Sequence, residues 1–160
     1  MRRAAPGRPG GALSRRPGVS RQALFEQLLQ TVQRDLRDYP KMEACLEAQF
    51  AAALAHDAEG MRRCADQLGA LCAALEESRR ERRRLAAAVL LREHDLSMTA
   101  LFALLPAAAR EACERRWRQL LAHVERCRDL NLRNGGLLRQ QQQVLARVLE
   151  GGAGDVYHAQ

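Results

Sequence analysis

Apolar residues recur along this chain in steps of three and four, the spacing that lines one face of an α-helix. Three stretches carry the pattern. In the first, Phe25, Leu29, Val32, Leu36, Tyr39, Leu46, Phe50 and Ala53 share a face, and Ser20 stands where an N-cap belongs. Pro40 falls inside this stretch. It removes a backbone donor and crowds the preceding turn, so the pattern predicts a kink, or two helices end to end on one face. Glu43 is the one misfit in the stripe. The run His56-Asp57-Ala58-Glu59-Gly60 predicts a boundary, with Asp57 capping the next helix. The second stripe is Met61, Cys64, Leu68, Leu71 and Leu75; it meets Ser78 and Arg82, then resumes at Leu85 and Val89. His94-Asp95 marks another boundary. A short amphipathic turn or helix follows with Met98, Leu101, Phe102 and Leu105, and Pro106 suits the first turn of a new helix.

The third stretch is the longest. Cys113, Trp117, Leu120, Val124, Cys127, Asn131, Asn134, Leu138, Gln141, Leu145 and Val148 keep a strict four-three spacing. A seven-residue repeat sustained over that distance predicts a coiled-coil-like seam. Unbroken from Ala107 to Leu149, such a helix would reach about 64 Å. Gly151-Gly152-Ala153-Gly154 is expected to stop it. The fold class read from these patterns is all-α: an elongated antiparallel helical bundle or coiled-coil-like hairpin, with three long helices and a short connecting helix. Residues 1–19 read as a disordered basic extension, 20–150 as the helical domain and 151–160 as a flexible C-terminal tail.

Composition supports that class and changes the reading of charge. Ala, Leu, Arg, Gln and Glu dominate, while Phe, Tyr and Trp number three, two and one. That balance favours helices packed on helices. The formal net charge of +7 suggests nucleic acid at first. Yet residues 1–21 hold six Arg and no acid, leaving the rest of the chain close to neutral. The basicity belongs to the N-terminal extension and not to the domain, so no nucleic-acid partner is expected. Lys41 is the single Lys among 26 basic residues, an excess of Arg found on every face. The run Glu76 to Arg84 reads as a solvated helix face with a favourable Glu76–Arg80 pair.

No run approaches the roughly 18 apolar residues of a membrane span. The N-terminal Arg residues precede no apolar segment, so neither a secretory signal nor membrane insertion is expected, and the location reads as cytoplasmic. Cys45, Cys64, Cys72, Cys113 and Cys127 include no C-x-x-C, and they read as reduced small core fillers.

Candidate chemistry is sparse. His56, His94, Asp95 and Asp129 formally match the H…HD…D pattern of metal-dependent phosphohydrolases. Both His-Asp pairs sit where helices start or stop, which ordinary capping explains. No phosphate loop, nucleophile elbow or Cys-His pair accompanies them, so no enzyme, metal or cofactor is expected. The informative anomaly is Asp129-Leu130-Asn131-Leu132-Arg133-Asn134-Gly135-Gly136-Leu137-Leu138. Asn131 and Asn134 occupy seam positions. The two glycines together cost about 2 kcal/mol of helix propensity relative to Ala. A polar register pin with a kink or close helix contact explains this segment as well as a surface left for a partner helix does.

Arg128-Asp129-Leu130-Asn131-x-x-Asn134-Gly135-x-Leu137-Leu138, then a Gln-rich helix and the tail residue Tyr157, resembles the C-terminal signature of the FlgN family of flagellar export chaperones. Trp117 with Leu120 and Leu121 resembles that family's lead-in. The resemblance implies a chaperone that binds the C-terminal helical region of hook–filament junction proteins, prevents early assembly and delivers them to the type III export gate. It implies client contacts at Leu130, Asn131, Asn134, Gly135, Leu137, Leu138, Gln141, Leu145 and Val148. It also implies docking of Tyr157 on the cytoplasmic domain of the gate protein. A structural coiled-coil scaffold or stalk, and a chaperone of a virulence-type secretion system, remain the alternatives. A homodimer in the client-free state is likewise open.

Overall fold

In the computed structural model the backbone is described for residues 18–157 and side chains for residues 18–147; the extension over 1–17 and the last three residues lie outside the described residues. Four helices follow in order: α1 (Arg21–Leu54), α2 (Ala58–Leu90), α3 (Met98–Phe102) and α4 (Ala107–Tyr157). The expected all-α bundle of three long helices and one short connector is what the chain forms, and no strand occurs among the described residues.

Local signals set the ends. Ser20 caps α1, its hydroxyl accepting from the amide of Ala23 at 3.1 Å. Asp57 caps α2, its carboxylate accepting from the amide of Gly60 at 2.9 Å. Ser97 caps α3 in the same way through Ala100, at 2.9 Å. Each cap satisfies an amide that the first helical turn leaves without a partner. The α2–α3 link turns through Leu91 and Asp95, both with positive φ, and holds the His94-Asp95 boundary.

Two breaks that the sequence allowed do not occur, the split of the first helix at Pro40 and the stop at the C-terminal glycines. Pro40 does not divide α1, which is one helix of 34 residues. Pro40 is exposed, so the carbonyl it leaves without a donor is on the watered side of the helix. Gly151–Gly154 does not end α4, which runs through it to Tyr157. Glycine costs helix propensity but leaves helical φ and ψ fully accessible, so it weakens a helix without forbidding it.

The helices run up, down and up. Thr31 meets Ser78 and Arg82, and Cys45 meets Gln67, so α2 is antiparallel to α1. Glu43 meets His123, Glu47 meets Arg133 and Ala53 meets Gln141, so α4 is parallel to α1. Among the described residues no Cα of α2 comes within 8 Å of one in α4, and α1 lies between them. The middle helix therefore carries two seams. Leu28, Thr31, Asp35 and Met42 lie towards α2, and Glu43 and Phe50 lie towards α4. Glu43, the misfit of a single stripe, is a contact of the second.

The core is in two parts. Phe25, Leu28, Leu85, Ala86, Val89 and Leu101 pack at one end. Met42, Leu46, Leu75, Cys127 and Leu130 pack nearer the other. Between them sits a polar layer at the place where the α2 stripe is interrupted. Arg82 donates to Asp35 Oδ2 at 2.7 Å and to Thr31 Oγ1 at 3.3 Å. The Ser78 hydroxyl donates to the Thr31 carbonyl at 3.3 Å, and Arg82 lies 5.6 Å from the centre of the Trp117 ring. The Arg79, Arg80, Arg83 and Arg84 side chains face solvent as expected, but Ser78 and Arg82 turn inward. The ion pair is nearly dry, with side-chain exposures of 3% for Asp35 and 12% for Arg82.

A buried pair is costly to break and not necessarily costly to replace. Arg82→Ala is expected to lower unfolding free energy by about 3–5 kcal/mol, because Asp35 is left buried and uncompensated. Replacing both, as Asp35→Leu with Arg82→Met, is expected to recover most of that loss. Urea titration of the three proteins checks both parts.

Candidate binding surface

The seam between α1 and α4 carries many polar contacts beside the packing of Met42 and Leu46 on Cys127 and Leu130. Glu43 accepts from His123 Nδ1 and from Arg126 Nε, the latter at 3.1 Å. Glu47 accepts from Arg133 at 2.9 Å, and the Arg133 guanidinium stacks 3.8 Å above the Phe50 ring. Asn134 is the buried centre, only 3% exposed. Its amide donates to the Leu46 carbonyl and to Gln49 Oε1, each at 2.8 Å, and Arg133 donates back to its oxygen. One and a half turns past the glycines, Gln141 donates to the Ala53 carbonyl at 2.7 Å. That carbonyl belongs to the last turn of α1 and also accepts from the His56 amide at 3.2 Å.

Beyond Gln141, α1 has ended and α4 continues alone. Its 16 further residues to Tyr157 span about 24 Å. Where the overhang begins, Leu54 and His56 on one side and Leu137, Leu138, Gln141, Val144 and Leu145 on the other enclose an open groove of about 660 Å³. Leu145 is 58% exposed, and Leu54 and Val144 are exposed to a similar degree. Single exposed leucines are ordinary, but several on one groove form a surface with apolar area to share.

The residues singled out from the sequence fall into three places. Leu130, Asn134 and Gln141 face α1 and hold α4 in register. Gly135, Leu137 and Leu138 are half-buried, and the two leucines line the groove together with Leu145. Asn131 is exposed and lines a separate cleft beside Tyr39 and Met42. Val148 and Tyr157 are helical, with side chains outside the described residues. The sequence pattern missed Leu54 and Val144. Leu54 directly follows the last seam residue of α1, and Val144 precedes Leu145; neither was at a seam position.

The phosphohydrolase pattern does not assemble. His56 and His94 lie beyond opposite ends of α2, whose 33 residues reach about 50 Å. Asp57 is spent as a cap. Among the described residues no three His, Cys, Asp or Glu side chains group as metal ligands. Of the thiols, Cys64, Cys113 and Cys127 are buried fillers as expected, whereas Cys72 is exposed. Burial, with the Glu43 carboxylate nearby, pushes the Cys127 thiol up to about 11, so it stays protonated at neutral pH and is no nucleophile.

The family model described as FlgN protein matches residues 24–151. The chain belongs to the FlgN family. The match spans α1 and α2 as well as the C-terminal signature; Tyr157 lies beyond it. No curated protein and no solved structure matches the chain. FlgN proteins are chaperones of flagellar type III export and not an enzyme family. Among the described residues no helix is long and apolar enough to cross a membrane.

The two asparagines of the FlgN signature have different physical roles here. Asn134→Ala is expected to cost about 1–2 kcal/mol, since it removes two buried hydrogen bonds. Asn131→Ala is expected to stay within about 0.5 kcal/mol of the parent, as an exposed side chain should. Paired thermal melts separate them.

Proposed function

We propose that the chain binds the C-terminal helical region of hook–filament junction proteins in the cytoplasm, keeps them from assembling early and hands them to the type III export gate. The observation that carries the reading is the overhang of α4. It presents Leu137, Leu138, Val144 and Leu145 beside Leu54, with no other described helix covering them. A client helix can add its apolar stripe to such a groove through anchors about one turn apart. Leu137, Leu138, Leu145 and Val148 supply the contacts, with Asn131 and Gly135 beside them. Leu130 and Asn134 hold the platform on α1, and Gln141 ties it to the end of that helix. The same groove would serve self-pairing when no client is present, which is how a client-free homodimer would form.

Tyr157 ends α4, about 24 Å past the Gln141–Ala53 hydrogen bond. In this reading it docks on the cytoplasmic domain of the gate protein while the groove holds the client. An aromatic at a helix tip offers a large contact with few torsions to freeze.

The two contacts are separable by mutation. Leu145→Asp places a charge where the client would dry the groove, and it is exposed enough to leave the fold intact. It is expected to weaken binding of the junction-protein C-terminal region by at least about 30-fold and to leave gate binding unchanged. Tyr157→Ala is expected to do the reverse. Titration of each variant against both partners checks the pair; client binding unchanged in Leu145→Asp would place the site elsewhere.

A further inference from the structure

Glycine is retained in a helix for identifiable reasons: a positive φ, or a neighbour too close for a Cβ. Neither applies to Gly135 or Gly136. No described glycine has positive φ. A Cβ built on Gly136 would meet nothing within 4 Å, and one on Gly135 would meet only the Arg139 guanidinium at 3.8 Å. In this conformation both positions would accept alanine and gain helix propensity. Gly60 shows the contrast, since a Cβ there would collide with the Asp57 cap at 2.3 Å.

Their place in α4 shows what the permissiveness serves. Asn134, the residue before them, is fixed by two hydrogen bonds to α1. After them, the described tie from α4 to α1 is the single bond from Gln141 to the Ala53 carbonyl. Gly69 in α2 also has open space around it, but it lies between Leu68 and Leu71, both packed against one core cluster. A bend there would tear both flanks from the core. A bend at Gly135–Gly136 would leave one flank anchored and cost the other a single polar latch and partial apolar contact.

We propose that Gly135–Gly136 is a hinge and Gln141 its latch. Residues 137–147 pivot away from the end of α1 and back, so that the groove between Leu54 and Leu137, Leu138 and Leu145 opens to take a helix and closes over it. This rests on the binding reading given above for the purpose of the motion, while the motion itself stands on the glycine pair and the latch. The latch carbonyl of Ala53 also accepts from the His56 amide at 3.2 Å, so release leaves that acceptor with a donor. Such an element is expected to be of low local stability, as the moving parts of binding sites are.

Distance measurement between spin labels tests it in the full chain. Labels carried on unnatural residues at the exposed positions Ala73 and Arg147 report the swing without involving the native thiols. The parent is expected to show two distance populations. Gly135→Ala with Gly136→Ala is expected to reduce the open one by roughly 20-fold through helix propensity alone. Gln141→Ala is expected to enlarge it about 5-fold by removing the latch. One narrow distribution, unchanged in both variants, would overturn the hinge. The outcomes are distinguishable from those of the binding reading. A rigid arm with client binding still lost in Leu145→Asp discards the hinge and keeps the site. Two populations with normal binding in Leu145→Asp keep the hinge and discard the site.

Discussion

Two long helices pack along α1, and among the described residues their own backbones stay more than 8 Å apart, meeting through side chains such as Arg82 on Trp117 and Leu75 beside Cys127 and Leu130. Everything else in the molecule follows from that arrangement. A helix with one neighbour needs one apolar stripe, but α1 has to serve two edges within the same 34 residues. It does so by dividing the chemistry. The edge towards α2 is mainly apolar, interrupted by a polar layer of Thr31, Ser78 and the dry Asp35–Arg82 pair. The edge towards α4 adds polar ties to the packing of Met42 and Leu46 on Cys127 and Leu130: Glu43, Glu47 and the carbonyls that meet Asn134 and Gln141. A polar seam fixes register without consuming much apolar surface, because each buried partner must be met or its desolvation is lost. The apolar residues of distal α4 are thereby left over, and the overhang presents them.

That division also accounts for the different characters of the two ends of α4. Near its start, Cys113 and Leu120 are buried and Trp117 borders the Arg82 layer. Past Gln141 the described side chains are exposed up to Arg147. A helix rigid at one end and weakly tied at the other suits the work of a chaperone. The FlgN membership supplies the class of work; the overhang supplies a physical means for it.

The elements set by local chemistry were legible in the sequence. Ser20 and Asp57 announce their helices because a cap needs only its own first turn, and the heptads of α4 announce a long seam because the repeat is continuous. Features that depend on how helices meet were not. Arg82 looks like one more charge in an Arg-rich run until the antiparallel register of α1 and α2 puts it opposite Asp35. Glu43 looks like an error in a stripe until α4 is set beside it. Asn131 and Asn134 have equivalent spacing, yet only Asn134 faces α1, because a straight helix drifts against a seven-residue repeat. Gly151–Gly154 was read as a stop from composition, where the real cost is in propensity and leaves the helix geometry available.

The central claim is that α4 is held to α1 as far as Gln141 and stands free beyond it. Residue-resolved amide hydrogen exchange measures this directly. The account predicts slow exchange for α4 amides from Leu120 to Asn134, a steep rise past Gln141 in the free protein, and protection of residues 137–147 when a junction-protein helix is added. Uniform protection along α4 in the free protein, or no gain on adding that helix, would contradict it.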